Sequence, residues 1–378
     1  MFGAARAELD LTTTRAEPQP ADLADVRTAN LAVVLRHLRA HGPSSRAAIA
    51  AATGLTKATV SSLAGDLIGF RLLRETGLSG NRIGRPGTAL ALDGSAYASI
   101  GVQVSSGQLT ALAMDYSGER LLLWHRAGAA PSLAADLVAL AQRAVSRVRQ
   151  QGRQVIGLTL AAPSSLTDLP GLRDVSHEEL RSLVARSLRQ KGLVVTIANQ
   201  AALAAVAEHR RAGVDLAYVS GAAGLEAGLI VDGRPLRGGR LGRFTLGPAG
   251  SPTLADQAGI ESLVRRALPD FDPAALADLG PAVEEVAVRA RAGDAVTLAA
   301  LQHTGHYLGQ GLALLAELVD PALLVLGDHY ATLAEWLIPH LRVRAVSPSA
   351  LGPHAAALGG AVSHLDQVDT GRVPQPAE

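Results

Sequence analysis

Apolar positions at Leu31, Val34, Leu35 and Leu38 repeat at the spacing of one helical face and predict a helix over 28–40. His41-Gly42-Pro43 ends it. Ser44 or Ser45 can cap a second helix over 46–53, which stops at Gly54. Thr56 caps a third that reaches residue 68, with Val60 and Leu63 turned to the core. Short strands are expected over 72–75 and 88–92, around the loop N-R-I-G-R-P-G. Two short helices joined at a glycine, then a hairpin, spell a winged helix-turn-helix.

The pattern changes after residue 94. Alternation over 99–104 and 109–114 reads as a hairpin, followed by a helix at 133–149 and an apolar strand at 155–160. Helices at 178–190 and 201–211 flank a strand at 194–198. Strands at 217–219 and 228–231 lie in or beside a region with nine glycines between Gly221 and Gly250. Helices are expected at 256–267, 274–279, 282–292 and 295–318, then a buried strand at 323–326 and a last helix at 354–366. Strands alternating with helices predict an α/β body. The expected division is a flexible tail at 1–22, a winged helix at 23–93, a body in two lobes at 94–369, and a second flexible tail at 370–378.

Of 378 residues, 48% are hydrophobic and 18% charged, which is the composition of a soluble globular chain. The chain has no cysteine, which excludes disulfides, thiolate metal sites and cysteine nucleophiles. The first residues hold no apolar core of a secretory signal, and no apolar run is long enough to span a membrane. A cytoplasmic protein without membrane contact is expected. The net charge of +1 hides an asymmetry: Arg27 to Leu90 carries nine Lys/Arg against Asp66 and Glu75, so this segment is basic and the remainder acidic.

In a helix-turn-helix the second helix offers its first residues to base edges in the major groove. Here these are Thr56, Lys57, Thr59 and Ser61. Arg46 opens the preceding helix, whose free N–H groups favour phosphate. In the wing, Arg82 and Arg85 flank Gly84 ahead of Pro86, a narrow basic loop suited to an A·T-rich minor groove. The plain alternative is a three-helix packing module with a basic, solvated face.

Asn30, the string S-R-A-A-I-A, the string G-L-T-K-A-T-V-S and the G-R-P wing carry a resemblance. The run from Asn30 to Ile100 resembles the winged helix of ROK-family transcriptional regulators (repressors, open-reading-frame proteins and kinases). The likeness continues more weakly over nearly all of the remaining chain. It implies a two-lobed body of the actin-like ATPase and sugar-kinase type. The partners it implies are a pseudo-palindromic double-stranded DNA operator, a second copy of the chain in a homodimer or tetramer, and a small effector that is sugar-like or of another class.

The family's kinase motifs are eroded here. Its phosphate loop, of the D-I-G-G-T type, corresponds to Gly101–Gly107 without the acid or the glycine pair. Its catalytic segment corresponds to Asn199–Glu208, where the general-base aspartate falls on Gln200. Its second glycine loop corresponds to Gly221–Gly228, where Glu226 opposes a phosphate. Its sugar and zinc motif corresponds to Phe244–Pro248, with Thr245 for the sugar-binding glutamate, and no zinc cysteines follow. The resemblance therefore implies no catalytic residue, no metal and no cofactor, and an effector site at Ser164, Asn199, Gln200, Glu226 and Thr245. From the residues alone, Asn199 is equally a strand-end cap, and Ser164-Ser165 line a cleft or make a turn. The rivals are a ligand-independent architectural DNA-binding protein and a sugar kinase with an unusual site, whose base would be Asp168 or Asp174. His303 and His306 share a helical face and Glu178-Glu179 are adjacent, but neither pair forms a site by spacing.

Overall fold

The computed structural model describes residues 23–78, 88–105, 107–128, 132–169, 171–188, 193–222, 224–236, 239–272 and 278–374. The winged helix consists of α1 (Leu23–His41), β1 (Ser44–Ser45), α2 (Arg46–Thr53), α3 (Lys57–Gly69), β2 (Leu73–Leu78) and β3 (Thr88–Leu92). The local signals act as their chemistry dictates. Ser45 Oγ accepts from the Ala48 N–H and Thr56 Oγ1 from the Thr59 N–H, each supplying a partner to a first-turn donor. Gly54 ends α2 in the left-handed region at φ 76°, and its N–H returns to the Ala50 carbonyl. Leu31, Val34, Leu35 and Leu38 of α1 bury against Ile49, Val60, Leu63 and Leu67. The sheet order is β1-β3-β2, all antiparallel.

The first lobe follows with β4 (Tyr97–Ser105), β5 (Gln108–Asp115), β6 (Arg120–Ala127), α4 (Leu133–Gln150), β7 (Gln154–Ala162), α5 (His177–Leu188) and β8 (Val194–Asn199). Its five-stranded sheet runs β6-β5-β4-β7-β8, antiparallel up to β4 and parallel beyond. α6 (Gln200–Ala212) begins where β8 ends.

The second lobe holds β9 (Leu216–Ser220), β10 (Glu226–Val231), β11 (Arg234–Pro235), α7 (Leu254–Ala258), α8 (Ile260–Ala267), α9 (Gly280–Arg291) and α10 (Ala295–Val319). It continues with β12 (Leu323–Leu326), α11 (Asp328–Thr332), α12 (Ala334–Leu341) and β13 (Val346–Pro348). Its sheet runs β11-β10-β9-β12-β13, with β9, β12 and β13 parallel. The closing helix α13 (Ala355–Val368) returns to the first lobe. It packs on β4, β7 and α6, and α6 in turn packs on β9 and β10, so these two helices form the layer between the sheets.

The single helix expected over 256–267 is two. Gly259 is extended at φ −63° and ψ 150°, and its Cα lies so close to Ala255 that an added Cβ would stand 2.5 Å from that carbonyl oxygen. Of the helix expected at 274–279, residues 274–277 lie outside the described residues, and Leu279 is the residue before α9. The tail at 1–22 also lies outside them. Residues 370–374 are described, and there Val373 packs against the winged-helix core. No helix among the described residues is long and apolar enough to cross a membrane.

Candidate nucleic-acid interface and interlobe cleft

Helix α3 buries Val60, Leu63, Ala64 and Leu67. Its outer face therefore shows Lys57, Ser61, Ser62 and Gly65 to solvent. Lys57 and Ser61 stand free to reach a groove. Thr56 and Thr59 are partly engaged with each other, their hydroxyls 2.8 Å apart. Arg46 is held against the wing strand by Glu75, Nη2 to Oε1 at 2.7 Å. Arg27 of α1 pairs with Asp66 of α3 and braces the two helices. Arg82, Gly84, Arg85 and Pro86 lie outside the described residues. The strands on either side of them pair as far as Leu78 with Thr88.

The second region is the cleft between the lobes, at the carboxyl ends of the parallel strands, where α/β folds bind ligands. Asn199 ends β8 and caps α6, its Oδ1 accepting from the Ala202 N–H at 2.9 Å. Its amide nitrogen donates to Ser164 Oγ at 2.8 Å and to Glu226 Oε2 at 2.9 Å. Glu226 Oε1 accepts the Ser164 N–H at 2.7 Å. Three of the expected effector residues thus form one hydrogen-bonded group drawn from three strand ends. The cap reading of Asn199 holds, and its amide nitrogen also joins this hydrogen-bonded group. Ser164 and Glu226 line a cavity of about 310 Å³ together with Arg240, Arg243 and Thr253.

Gln200 follows directly and is 2% exposed, and neither its amide oxygen nor its nitrogen has a partner. Such a group costs about 1–3 kcal/mol when left unsatisfied. Thr245 stands apart: it is exposed, on a segment bridged to Thr253, and is not part of the hydrogen-bonded group. Asp174 is exposed at the surface, and the Asp168 side chain lies outside the described residues.

A second cavity of about 410 Å³ opens between the lobes, lined by Gln103 and Ser105 of β4, Glu284 of α9, Asp328 and His329 of α11, and Gly352. Asp328 has no sequence motif to mark it. Its one signal is its place, two residues after the end of the buried strand β12. Burial pushes its carboxyl up to about 6; the Ser220 hydroxyl, donating at 2.6 Å, works against the rise and the Glu226 charge adds to it. Burial lowers the His329 imidazole, against the pull of Asp278 and Glu284. Among the described lining residues there are three acids and no lysine or arginine. His303 and His306 are taken up by Gln257 and Gln310, and no group of three or more ionisable side chains among the described residues could hold a metal ion.

No family model matches the chain. The xylose repressor of Bacillus spizizenii is 24% identical over 368 residues, covering 89% of this chain and 96% of the repressor, and that of Bacillus subtilis matches equally. A crystal structure of a ROK family transcriptional regulator, a homolog of the E. coli MLC protein, superposes with a TM-score of 0.71 at 20% identity, covering 92% of this chain and 98% of its own. This is the fold of a ROK-family transcriptional regulator. The ROK family glucokinase from Streptomyces griseus, in complex with glucose and AMPPNP, matches with a TM-score of 0.55 at 24% identity, over 70% of this chain and 98% of its own. The glucokinase thus shares its fold with about 70% of this chain, and the regulator shares its fold with 92%.

Proposed function

We propose that the protein is a cytoplasmic DNA-binding transcriptional repressor whose sugar-kinase-like body dimerises the chain and senses a small effector. The observation that carries this reading is α3, with Lys57 and Ser61 free on its outer face, mounted on a body of the ROK-regulator fold. Full-length relatives that are xylose repressors support it. Two winged helices related by a twofold axis would read a pseudo-palindromic operator, with Arg82 and Arg85 entering the minor groove beside each half-site. The effector, a sugar or another small polar molecule, would meet Ser164, Asn199 and Glu226, with Gln200 beside them.

Catalysis is not part of this reading. An amide at Gln200 is no base near neutral pH, and the carboxylates of Glu226 and Asp328 oppose nucleotide phosphates. Phosphate transfer from ATP to a hexose, above that of a Gln200→Ala control, would overturn it.

The deciding experiment is a genome-fragment binding selection with the purified protein at about 150 mM salt, where non-specific phosphate binding is weakened. A few enriched fragments sharing an inverted repeat are expected. Even enrichment across the genome would mean an architectural binder instead. On the enriched site, replacing Arg82 and Arg85 with alanine is expected to weaken binding. The slope of log affinity against log salt should fall by about 0.9 for each phosphate no longer neutralised. Unchanged affinity would refute the placement of the wing in the minor groove.

A further inference from the structure

The winged helix is not hung on a free linker. Its core continues into the body: Leu31, Val34 and Leu35 of α1 share one cluster with Tyr97, Tyr116, Leu365 and Val368. Within this cluster lies a tie between residues 330 positions apart. Arg39 of α1 grips Asp369, the residue that closes α13, with two prongs: Nε to Oδ2 at 2.8 Å and Nη2 to Oδ1 at 3.1 Å. The Tyr116 hydroxyl donates to the same Oδ1 at 2.7 Å, and Arg39 Nη1 donates to the Tyr116 carbonyl at 2.6 Å. The guanidinium carbon stands 4.7 Å over the centre of the Tyr116 ring. Asp369 is 7% exposed. Burial works against the Arg39 charge, and the hydrogen bonds and charge of Asp369 outweigh it, so its pKa rises.

A buried ion pair adds little net stability over an apolar contact, but a forked one fixes an angle that apolar surfaces leave free to slide. The helix that holds Asp369 is itself held along its length. An added Cβ at Gly101 would stand 1.8 Å from the Ala357 carbonyl oxygen, and one at Gly359 1.8 Å from that of Leu203, so β4 and α6 clasp α13 backbone to backbone. Arg210 of α6 pairs with Asp366 in its last turn. At its other end the Ala357 N–H donates to Gln103 Oε1 at 3.2 Å, and Gln103, with Gly352 and Pro353 just before the helix, lines the larger interlobe cavity. One rigid helix therefore runs from the cavity wall to the tie.

We propose that Asp369 is a positioning residue for DNA recognition: through its grip on Arg39, α13 sets the angle at which the body presents the winged helix. This rests on the reading of the chain as a dimeric DNA-binding regulator. Two half-sites are engaged together only when both winged helices are held at the operator's spacing, so a fixed angle appears as spacing selectivity rather than as affinity for one half-site.

The test uses the full chain and DNA carrying two selected half-sites at varied separation, together with a single half-site. The wild type is expected to prefer one separation. Asp369→Asn, and Arg39→Lys should the first variant fold poorly, are expected to lower that preference about tenfold while single-half-site affinity stays within about twofold. A variant that keeps the wild-type preference, or whose single-half-site binding weakens in proportion, overturns the proposal. A second readout needs no DNA. The chain has no cysteine, so spin labels can be placed at Ser62→Cys on α3 and Ser146→Cys on α4, both exposed. The distance distribution between them is expected to be narrow and to broaden in Asp369→Asn; an unchanged width overturns the proposal. A wild type with narrow distances that selects no DNA would instead refute the regulator reading and leave the tie intact.

Discussion

At the scale of the residue, the cleft sorts its carboxyls by their partners. Glu226 accepts a backbone N–H and an amide, which satisfy its charge. Asp328 has the Ser220 hydroxyl and the repulsion of Glu226, and titrates near 6 in the folded protein, against about 3.9 in an unfolded chain. Between these two values the folded state keeps a proton that the unfolded state has released. Stability therefore falls as pH rises through the window, and the whole penalty stands above it. Allowing for the partial exposure of Asp328, the penalty is on the order of 1–2 kcal/mol. Asp328→Asn keeps an acceptor for Ser220 and removes the charge. Its melting temperature is expected to lie near that of the wild type at pH 3.5, below both values, and to exceed it by a few degrees at pH 8. An offset that is the same at both pH values would mean that the carboxyl stays ionised throughout.

At the scale of the element, two helical glycines make opposite predictions. Gly359→Ala drives a Cβ into the Leu203 carbonyl, which α6 can relieve only by moving away, at a cost of about 3 kcal/mol. Gly65→Ala, on the outer face of α3, meets nothing within 4 Å and gains about 1 kcal/mol of helix propensity. Urea titrations of the two variants should therefore move in opposite directions. Elements marked by local chemistry are legible in the sequence: α2 has the bounds that Ser45 and Gly54 mark. The break at Gly259 is not: it is marked only by a change of apolar phase, from Leu254 and Ala258 to Ile260, Leu263, Val264 and Ala267, and a five-residue helix is too short to make that change plain. Nor are α12, with Pro339 inside it, or β13, which is three residues long. β6 escapes notice because it is an edge strand that is mostly half-buried or exposed. In the cleft, Ser164 and Glu226 meet Asn199 across 35 and 27 positions of sequence, a convergence that spacing cannot show and that comes only through the family resemblance. Asp328 carries no local motif and becomes visible only when β12 is set beside β9.

At the scale of the whole molecule, α13 makes the winged helix and the body mechanically one piece. Kinases of similar fold match about 70% of this chain over nearly their whole length, so this fold stands in general without the remaining part. In this chain the body packs against its neighbour. Removing residues 1–93 would uncover Tyr97, Tyr116, Leu365 and Val368 and leave the Asp369 carboxylate without Arg39. A half-buried charge without its partner is destabilising, whereas the same charge in its fork is not. The effect of Asp369→Asn should therefore change sign with context. In the full chain it breaks the grip on Arg39 and is expected to cost on the order of 3 kcal/mol. In a fragment of residues 94–374 it removes an unpaired charge and is expected to raise the melting temperature. Chemical and thermal denaturation of the four proteins would decide the matter. The Tyr116 hydroxyl still holds Asp369 in the fragment, so the decisive quantity is the difference between the two backgrounds: a cost in the fragment equal to that in the full chain would mean that Arg39 adds nothing to the hold on Asp369, and that the winged helix is an appended domain rather than part of the body's own structure.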